Sequence, residues 1–386
     1  MKPTSRLDWV SQAGIRVIKD NQDVSGAFLA SPNFRVYRYS WVRDGSYIAM
    51  ALSQAGERQA SAAFHNWTAR AVTSQADKIT ALSKAARQGR QLDQRLFLPT
   101  RYLVDGSVET GGDSWPNTQF DGYGTWLWAL ADHLGGKPVS QEQAVVLAAD
   151  YLASVWQLPC YDYWEEFGDR QHTSTLAAIA AGLRAAADLT GKPRYGQVAQ
   201  DVWAWVLEHC VKDGMFVKGP QDSRVDASLL SLAVPLGLTA VDDPVYAATL
   251  ARIEAELVSP AGGVWRYLGD SYFGGGAWVL LACWLGLAQL KSGRAAAAQA
   301  SLGWASGFAS SAGWLPEQIT DPDHTQQPEW RTPWAEKWGE PANPLLWSQA
   351  MYILLDDRLA RVDAEDSSST DKSSIMAMAD PGRRGR

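Results

Sequence analysis

Apolar positions in this chain recur mostly at three- and four-residue spacing. Tyr195, Val198, Val202 and Val206 mark one face of an amphipathic helix. Residues 277–290 are instead apolar nearly all round, the pattern of a helix packed on every side. Strand-like alternation is rare and confined to short pieces such as Met215-Phe216-Val217. The pattern predicts twelve helices, over 7–21, 43–55, 57–89, 121–135, 141–157, 172–189, 193–209, 226–235, 243–257, 276–291, 294–307 and 344–360.

The connections between them alternate in length. Those after the second, fourth, sixth, eighth and tenth helices are short, as at Gly135-Gly136-Lys137-Pro138, Gly191-Lys192-Pro193 and Ser292-Gly293. The others are long, spanning about 22–42, 90–120, 158–171, 210–225, 258–275 and 308–343. Short links join antiparallel neighbours. Six such hairpins in a ring form an all-α fold, an (α/α)6 barrel, with the even-numbered helices inside and all the long loops at one end. That end is the expected site, because functional residues concentrate on loops held by a rigid scaffold. No linker divides residues 1–363, which read as one domain. Residues 364–386, with their serine run and closing Arg-Arg-Gly-Arg, lack apolar periodicity and read as a disordered tail.

Composition narrows the function. A formal net charge of −7 over 386 residues, with no basic stripe, argues against a nucleic-acid partner. The longest apolar run, 276–288, is too short to span a bilayer, so no membrane partner is expected. Residues 1–14 carry no apolar segment of the secretory type, and the three cysteines are odd in number and widely spaced; both point to reduced thiols in the cytoplasm. His65, His133, His172, His209 and His324 show no metal-ligand spacing, and no Gly-x-Ser-x-Gly elbow is present. Neither a metal nor an organic cofactor is expected. The 19 tryptophans exceed what a core requires, and many fall in the long connections.

Those connections hold the candidate chemistry. Tyr161-Asp162-Tyr163-Trp164-Glu165-Glu166 packs three carboxylates and three aromatic rings into six residues. Aromatic faces suit the apolar faces of sugar rings, and a carboxylic acid beside Trp is placed to have a raised pKa. The run is a candidate acid loop or a solvated polar connection. The first long loop carries Tyr37-Arg38-Tyr39-Ser40-Trp41-Val42-Arg43-Asp44, where Arg43 and Asp44 either orient a sugar or serve structure, with Asp44 capping the next helix and pairing with Arg43, and both readings can hold at once. Trp115, six residues before Asp121-Gly122, either stacks on a sugar or plugs the barrel mouth, with Asp121 as a helix cap. The glycines at 274–276 suit close backbone packing where the tenth helix starts. Glu317 is the second candidate catalytic carboxylate, with Glu329, Glu336 and Glu340 as rivals in the same loop. Two carboxylates flanking a glycosidic bond are the minimum glycosidase machinery.

These segments resemble glycoside hydrolase family 15, the glucoamylase-like enzymes, in family order over most of residues 7–360. The matching pieces are Tyr39 to Asp44, Trp115 to Gly122, Tyr161 to Glu166, Arg266 with Asp270, Glu317-Gln318 and Trp347-Ser348. The resemblance implies an inverting exo-acting α-glucosidase that releases β-glucose from the non-reducing end of a small oligosaccharide. It implies Glu165 as general acid and Glu317 as general base. Tyr37, Trp41, Arg43, Asp44, Trp115, Glu166, Arg266 and Trp347 would then surround the substrate. The compact chain, without the β-sandwich or starch-binding domains of many relatives, is similar to the small members that hydrolyse isomaltose, including its α-1,6 linkage. The alternatives are α,α-trehalose hydrolysis and a non-catalytic sugar-sensing domain, both known within this group of folds.

Overall fold

Local chemistry sets where the helices of the computed structural model begin and end; it describes residues 7–109 and 117–378. α1 (Trp9–Asp20) starts under Asp8, whose carboxylate accepts from the Ser11 N–H. α5 (Asp121–Leu134) and α7 (Thr173–Thr190) both stop at left-handed glycines, Gly135 and Gly191. α8 (Pro193–His209) opens on a proline whose missing N–H costs nothing at that position. α9 (Pro244–Glu256) does the same, with Asp243 capping Val245 and Tyr246.

The remaining helices are α2 (Val42–Gln54), α3 (Arg58–Thr73), α4 (Ala76–Arg87), α6 (Glu142–Val155), α10 (Val279–Lys291), α11 (Ala295–Ser306), α12 (Arg331–Trp338) and α13 (Leu346–Met378). Three departures from the sequence pattern stand out. The single helix expected over 57–89 breaks into α3 and α4 at Ser74 and Gln75, where the Ser74 hydroxyl bonds the Ala71 carbonyl and Gln75 leaves helical geometry. The helix expected at 226–235 is a 3₁₀ turn, Ala227–Leu232, ended before Pro235, which has no N–H to continue a ladder. α12 lies inside the stretch expected to be a loop, 308–343. The segment from 364 continues in the backbone as α13 to Met378, and residues 379–386 lie outside the described residues.

α2, α5, α7, the 3₁₀ turn, α10 and α13 pack in sequence and close into a ring, each touching the next. These are the even-numbered predicted helices. α2 is buried from Val42 to Ser53 and α10 from Val279 to Gln289. The outer helices bury one stripe; on α8 it is Tyr195, Ala199, Val202 and Val206. The inner helices pack closely where they can. A Cβ on Gly124 of α5 would stand 2.3 Å from the Ala178 carbonyl oxygen of α7. Glycine there is what lets the two backbones approach. This is an (α/α)6 barrel.

Three two-stranded antiparallel ribbons tie down the long loops. β1 (Ser40–Trp41) pairs with β2 (Arg101–Tyr102), and β5 (Ala277–Trp278) with β6 (Gln318–Ile319). β1 runs straight into α2 and β5 into α10, so both ribbons sit where inner helices begin. β3 (Val211–Lys212) and β4 (Met215–Phe216) form a hairpin about Asp213-Gly214, both at positive φ, the geometry of a tight hairpin turn. The glycines before α10 act as expected: a Cβ on Gly276 would stand 2.4 Å from the Ile319 carbonyl oxygen.

Midway along α3, His65 is fully buried against His133 of the last turn of α5. Neither of its ring nitrogens has a hydrogen bond among the described residues. Burial, and the neighbouring His133 after it, lower its pKa from 6.5 to about 3. A folded value below the unfolded one means that the unfolded chain takes up the proton first as pH falls. The stability that neutral His65 contributes is whole above about pH 6.5 and is lost progressively toward pH 3. Urea unfolding of wild type and His65→Phe at pH 7 and pH 4 should therefore show a smaller acid loss in the variant, by roughly 2–3 kcal/mol. Equal losses would show that the site is not the source.

Candidate active site

At the end where the inner helices begin, the loops enclose a cavity of about 780 Å³. Tyr37, Trp41, Arg43, Asp44, Glu165, Glu166, Arg266, Glu317 and Trp347 all line it. Trp115 lies outside the described residues. Glu329, Glu336 and Glu340 are exposed and do not line the cavity; Glu340 pairs with Arg331 on the surface.

Arg43 and Asp44 stand in the first turn of α2. The Arg43 guanidinium is buried and surrounded by acceptors. Its Nε is 3.2 Å from Asp44 Oδ2 and its Nη1 is 3.4 Å from Asp121 Oδ2. The same nitrogen donates to Gln119 Oε1. Neither Asp44 nor Asp121 caps its helix, as the sequence had suggested; both carboxylates turn to the same arginine. A buried guanidinium needs this company more than a helix end needs a cap.

The acid loop is wound around Asp162. One carboxylate oxygen, Oδ1, accepts from the N–H groups of Trp164 and Glu166, each at 2.9 Å, and the Asp162 carbonyl accepts from Glu165 N–H at 3.0 Å. This tight turn holds Glu165 at φ 67°, a left-handed conformation uncommon for a residue with a side chain. The consequence is that the two adjacent glutamates part. Glu165 reaches Trp41, whose indole N–H donates to Oε1 at 2.8 Å, and lies 3.8 Å from Arg43 Nη2. Glu166 reaches Arg266 Nη2 at 3.3 Å and accepts from the Tyr267 hydroxyl. Arg266 itself is clamped by both oxygens of buried Asp270, at 2.7 and 2.6 Å.

Glu317 comes from the far loop, just before β6. Its backbone is fixed by an N–H bond to the Ala342 carbonyl at 2.8 Å. Oε1 accepts from the Tyr37 hydroxyl at 3.0 Å, and Tyr37 shares a second bond with the Tyr272 hydroxyl at 2.9 Å. Oε2 has no hydrogen bond among the described residues; the neighbouring Gln318 amide lowers the carboxyl's pKa without a well-aligned bond. One acid is thus donated to by an indole and the other by a phenol, across a shared cavity.

Several lining residues went unassigned at the sequence level. Tyr163, Trp164, Tyr272 and Trp278 wall the inner part, and Trp334, Lys337 and Trp338 of α12 border the cavity as well. Arg101 lies over the Tyr39 ring at 4.0 Å and 3.2 Å from Glu109. The signal for these was the density of Trp and Tyr in the long loops. Nothing in the local sequence ranked them, because aromatic residues serve cores and sugar sites alike. Cys210 and His209 form no dyad: the thiol is buried, and the imidazole stacks on Trp205 at 3.6 Å. Among the described residues no cluster of His, Cys, Asp or Glu could hold a metal ion.

Burial pushes both acids upward. Glu165 rises to about 7 against the opposing pull of Arg43, and Glu317 to about 8 against its Tyr37 hydrogen bond. The Glu165 side chain is 25% exposed to the cavity. Cavity water therefore relieves more of its burial than that of Glu317, which is only 2% exposed.

The profile of glycosyl hydrolases family 15 matches residues 10–313. The chain is 38% identical to an isomaltose glucohydrolase of Kribbella flavida, over 92% of this chain and 94% of that protein. A solved wild-type glycosidase superposes with a TM-score of 0.86 at 37% identity, covering 92% of this chain and 97% of the other; a variant glycosidase in complex with glucose matches equally well. A trehalase of Sulfolobus acidocaldarius is 27% identical over 67% of this chain and 47% of its own length.

The raised value at Glu317 has a consequence for stability. The folded state holds that proton more tightly than the unfolded chain, so the fold is favoured below about pH 4.5 and loses stability as pH rises through about 8. Glu317→Gln removes the ionisation. Thermal unfolding should show the variant gaining a few degrees over wild type at pH 8.5, on the order of 1–3 kcal/mol, with little gain at pH 4. A gain that is the same at both pH values would contradict the burial of this carboxyl.

Proposed function

The chain belongs to glycosyl hydrolases family 15, and on that footing we propose that it is an inverting, exo-acting α-glucosidase for small α-gluco-oligosaccharides such as isomaltose. The observation that carries this reading is the pair of acids, half-buried Glu165 and buried Glu317, lining one cavity from separate loops. A volume of about 780 Å³ falls within the range of small-molecule sites, about 300–1,000 Å³. The isomaltose glucohydrolase similar to this chain along nearly its whole length supports the substrate class.

In this reading the terminal glucose sits among Arg43, Asp44 and Arg266, with Trp41 and Trp347 as walls. Glu165 carries a proton and gives it to the glycosidic oxygen as the bond from C1 to that oxygen breaks. A water held by Glu317 attacks C1 from the opposite face and passes its proton to that carboxylate. The products are β-glucose and the shortened sugar. Solvent then returns the proton to Glu165 and removes the one on Glu317. No metal or organic cofactor takes part.

Burial alone would protonate Glu317 before Glu165, the reverse of these roles. Two physical points support the assignment. Glu317 lines the cavity, and its Oε2 makes no well-aligned hydrogen bond among the described residues, so a water brought against it meets an unused acceptor. The positive charge that develops on the sugar ring favours the ionised form of a carboxylate facing it. A second reading, α,α-trehalose hydrolysis, is favoured by the similarity to trehalases and would use the same two acids. A cytoplasmic location belongs to the same proposal; its support is three buried cysteines, none of them paired.

Glu165→Gln and Glu317→Gln should each lower kcat on isomaltose by about 10²–10⁴-fold while KM stays within a few-fold. Near-native turnover in either variant would remove that residue from its role. Proton NMR of the first product formed from isomaltose should show β-glucose; α-glucose in excess at early times would rule out inversion. Parallel incubation with isomaltose, maltose and trehalose separates the two substrate readings.

A further inference from the structure

Glu165 sits at the apex of a turn in a conformation that its own side chain disfavours, so something outside the turn must hold it there. The turn's N–H groups converge on Asp162, as described above. What fixes Asp162 is a buried lysine. Lys218, in the connection after β4, is 3% exposed and does not line the cavity. Its Nζ lies 2.8 Å from Asp162 Oδ2, the oxygen that the turn leaves unused, and 2.6 Å from Asp226 Oδ2.

Asp226 closes the circuit. It accepts from the Trp164 indole N–H at 3.1 and 3.0 Å and from the Ser228 N–H at 2.8 Å. One ammonium therefore ties together the backbone of the turn, through Asp162, and the side chain that precedes Glu165, through Asp226. Lys218 is itself anchored. Its carbonyl accepts from the Thr173 N–H at the start of α7, and its N–H donates to the Arg224 carbonyl. Its Nζ also stands over the Tyr267 ring at 4.1 Å, and Tyr267 in turn donates to Glu166.

We propose that Lys218 is a positioning residue for the Glu165 carboxyl, acting through the Asp162 and Asp226 carboxylates. The proposal rests on the reading of Glu165 as proton donor. Without the ammonium, two buried carboxylates face each other unbalanced, and the Asp162 turn and the Trp164 ring lose their common tether. The acid then loses its aim, while in the sugar pocket Arg43 keeps Asp44 and Asp121 and Arg266 keeps Asp270, partners that lie outside the turn. A displacement of about 1 Å at a proton donor is enough to cost about 10²-fold.

A misdirected acid and a merely weakened fold differ in their dependence on the leaving group. Isomaltose needs its departing oxygen protonated; α-glucosyl fluoride releases fluoride with little need of a proton. Lys218→Met should lower kcat on isomaltose by about 10²-fold, with KM within about 3-fold, and lower kcat on the fluoride by less than about 5-fold. Equal losses on the two substrates, or no loss on either, would overturn the proposal. Should Lys218→Met fail to fold, Asp226→Asn leaves a one-to-one Lys218–Asp162 pair and tests the same link. It should cost about 10-fold on isomaltose with the fluoride rate spared, and an unchanged ratio of the two rates would overturn the proposal. Wild-type protein inactive on both substrates would instead sink the hydrolase reading, a distinct result.

Discussion

Three cations shut away from bulk water organise the loop end of the barrel. Arg43 is 5% exposed, Arg266 2% and Lys218 3%. A buried charge is tolerated only when it is paired and hydrogen-bonded. Each of these therefore gathers carboxylates: Asp44, Asp121 and Glu165 around Arg43, Asp270 and Glu166 around Arg266, Asp162 and Asp226 around Lys218. Each cation also takes at least one partner from a distant segment, Asp121 and Glu165 for Arg43, Glu166 for Arg266 and Asp162 for Lys218, so balancing charge is the same act as docking the loops. Such pairs add little net stability over apolar packing, but breaking one by removing a partner costs about 3–5 kcal/mol. Their value here lies in specifying one arrangement.

The barrel supplies the frame that makes this pairing possible. Inner helices packed around a ring bring their first turns to one end, and the two ribbons at β1–β2 and β5–β6 hold the loops against them. Within that frame the turn at Glu165 performs a division. Adjacent glutamates in a strand would face opposite ways by simple alternation. Here a left-handed residue does it within a five-residue turn, sending Glu165 to Trp41 and Arg43 and Glu166 to Arg266 and Tyr267. Facing them, Glu317 is held through the phenols of Tyr37 and Tyr272, so hydrogen bonding orients one oxygen and leaves the other without an aligned donor among the described residues.

The general shape of the barrel was legible because it rests on local rules. Helix periodicity, glycine stops such as Gly135 and Gly191, and the alternation of short and long links all act within a few residues. Where those rules gave no mark, the reading erred. No glycine or proline announces the break at Ser74-Gln75. The turn at 227–232 carries apolar residues that suit an α-helix equally well, and α12 has too little apolar periodicity to be seen. Lining residues in recognisable runs, such as Arg43-Asp44 and Glu165-Glu166, could be found in the sequence. Lys218 could not: a lone lysine after a short strand reads as a solvated charge, and its importance comes from Asp162, which reaches it from another loop, together with Asp226, eight residues on.

The sequence by itself determined the helical ring, the end at which the candidate residues gather, and which acids and arginines were candidates, since each is written in short-range patterns. The tertiary structure alone decided how those candidates pair. Glu317 rather than Glu329, Glu336 or Glu340 enters the cavity, Asp121 serves Arg43 rather than a helix end, and neighbouring glutamates take different partners. The reason is desolvation. Whether a carboxylate caps, pairs or stays free depends on which cations are buried beside it, and burial is a property of the packed molecule rather than of any stretch of chain.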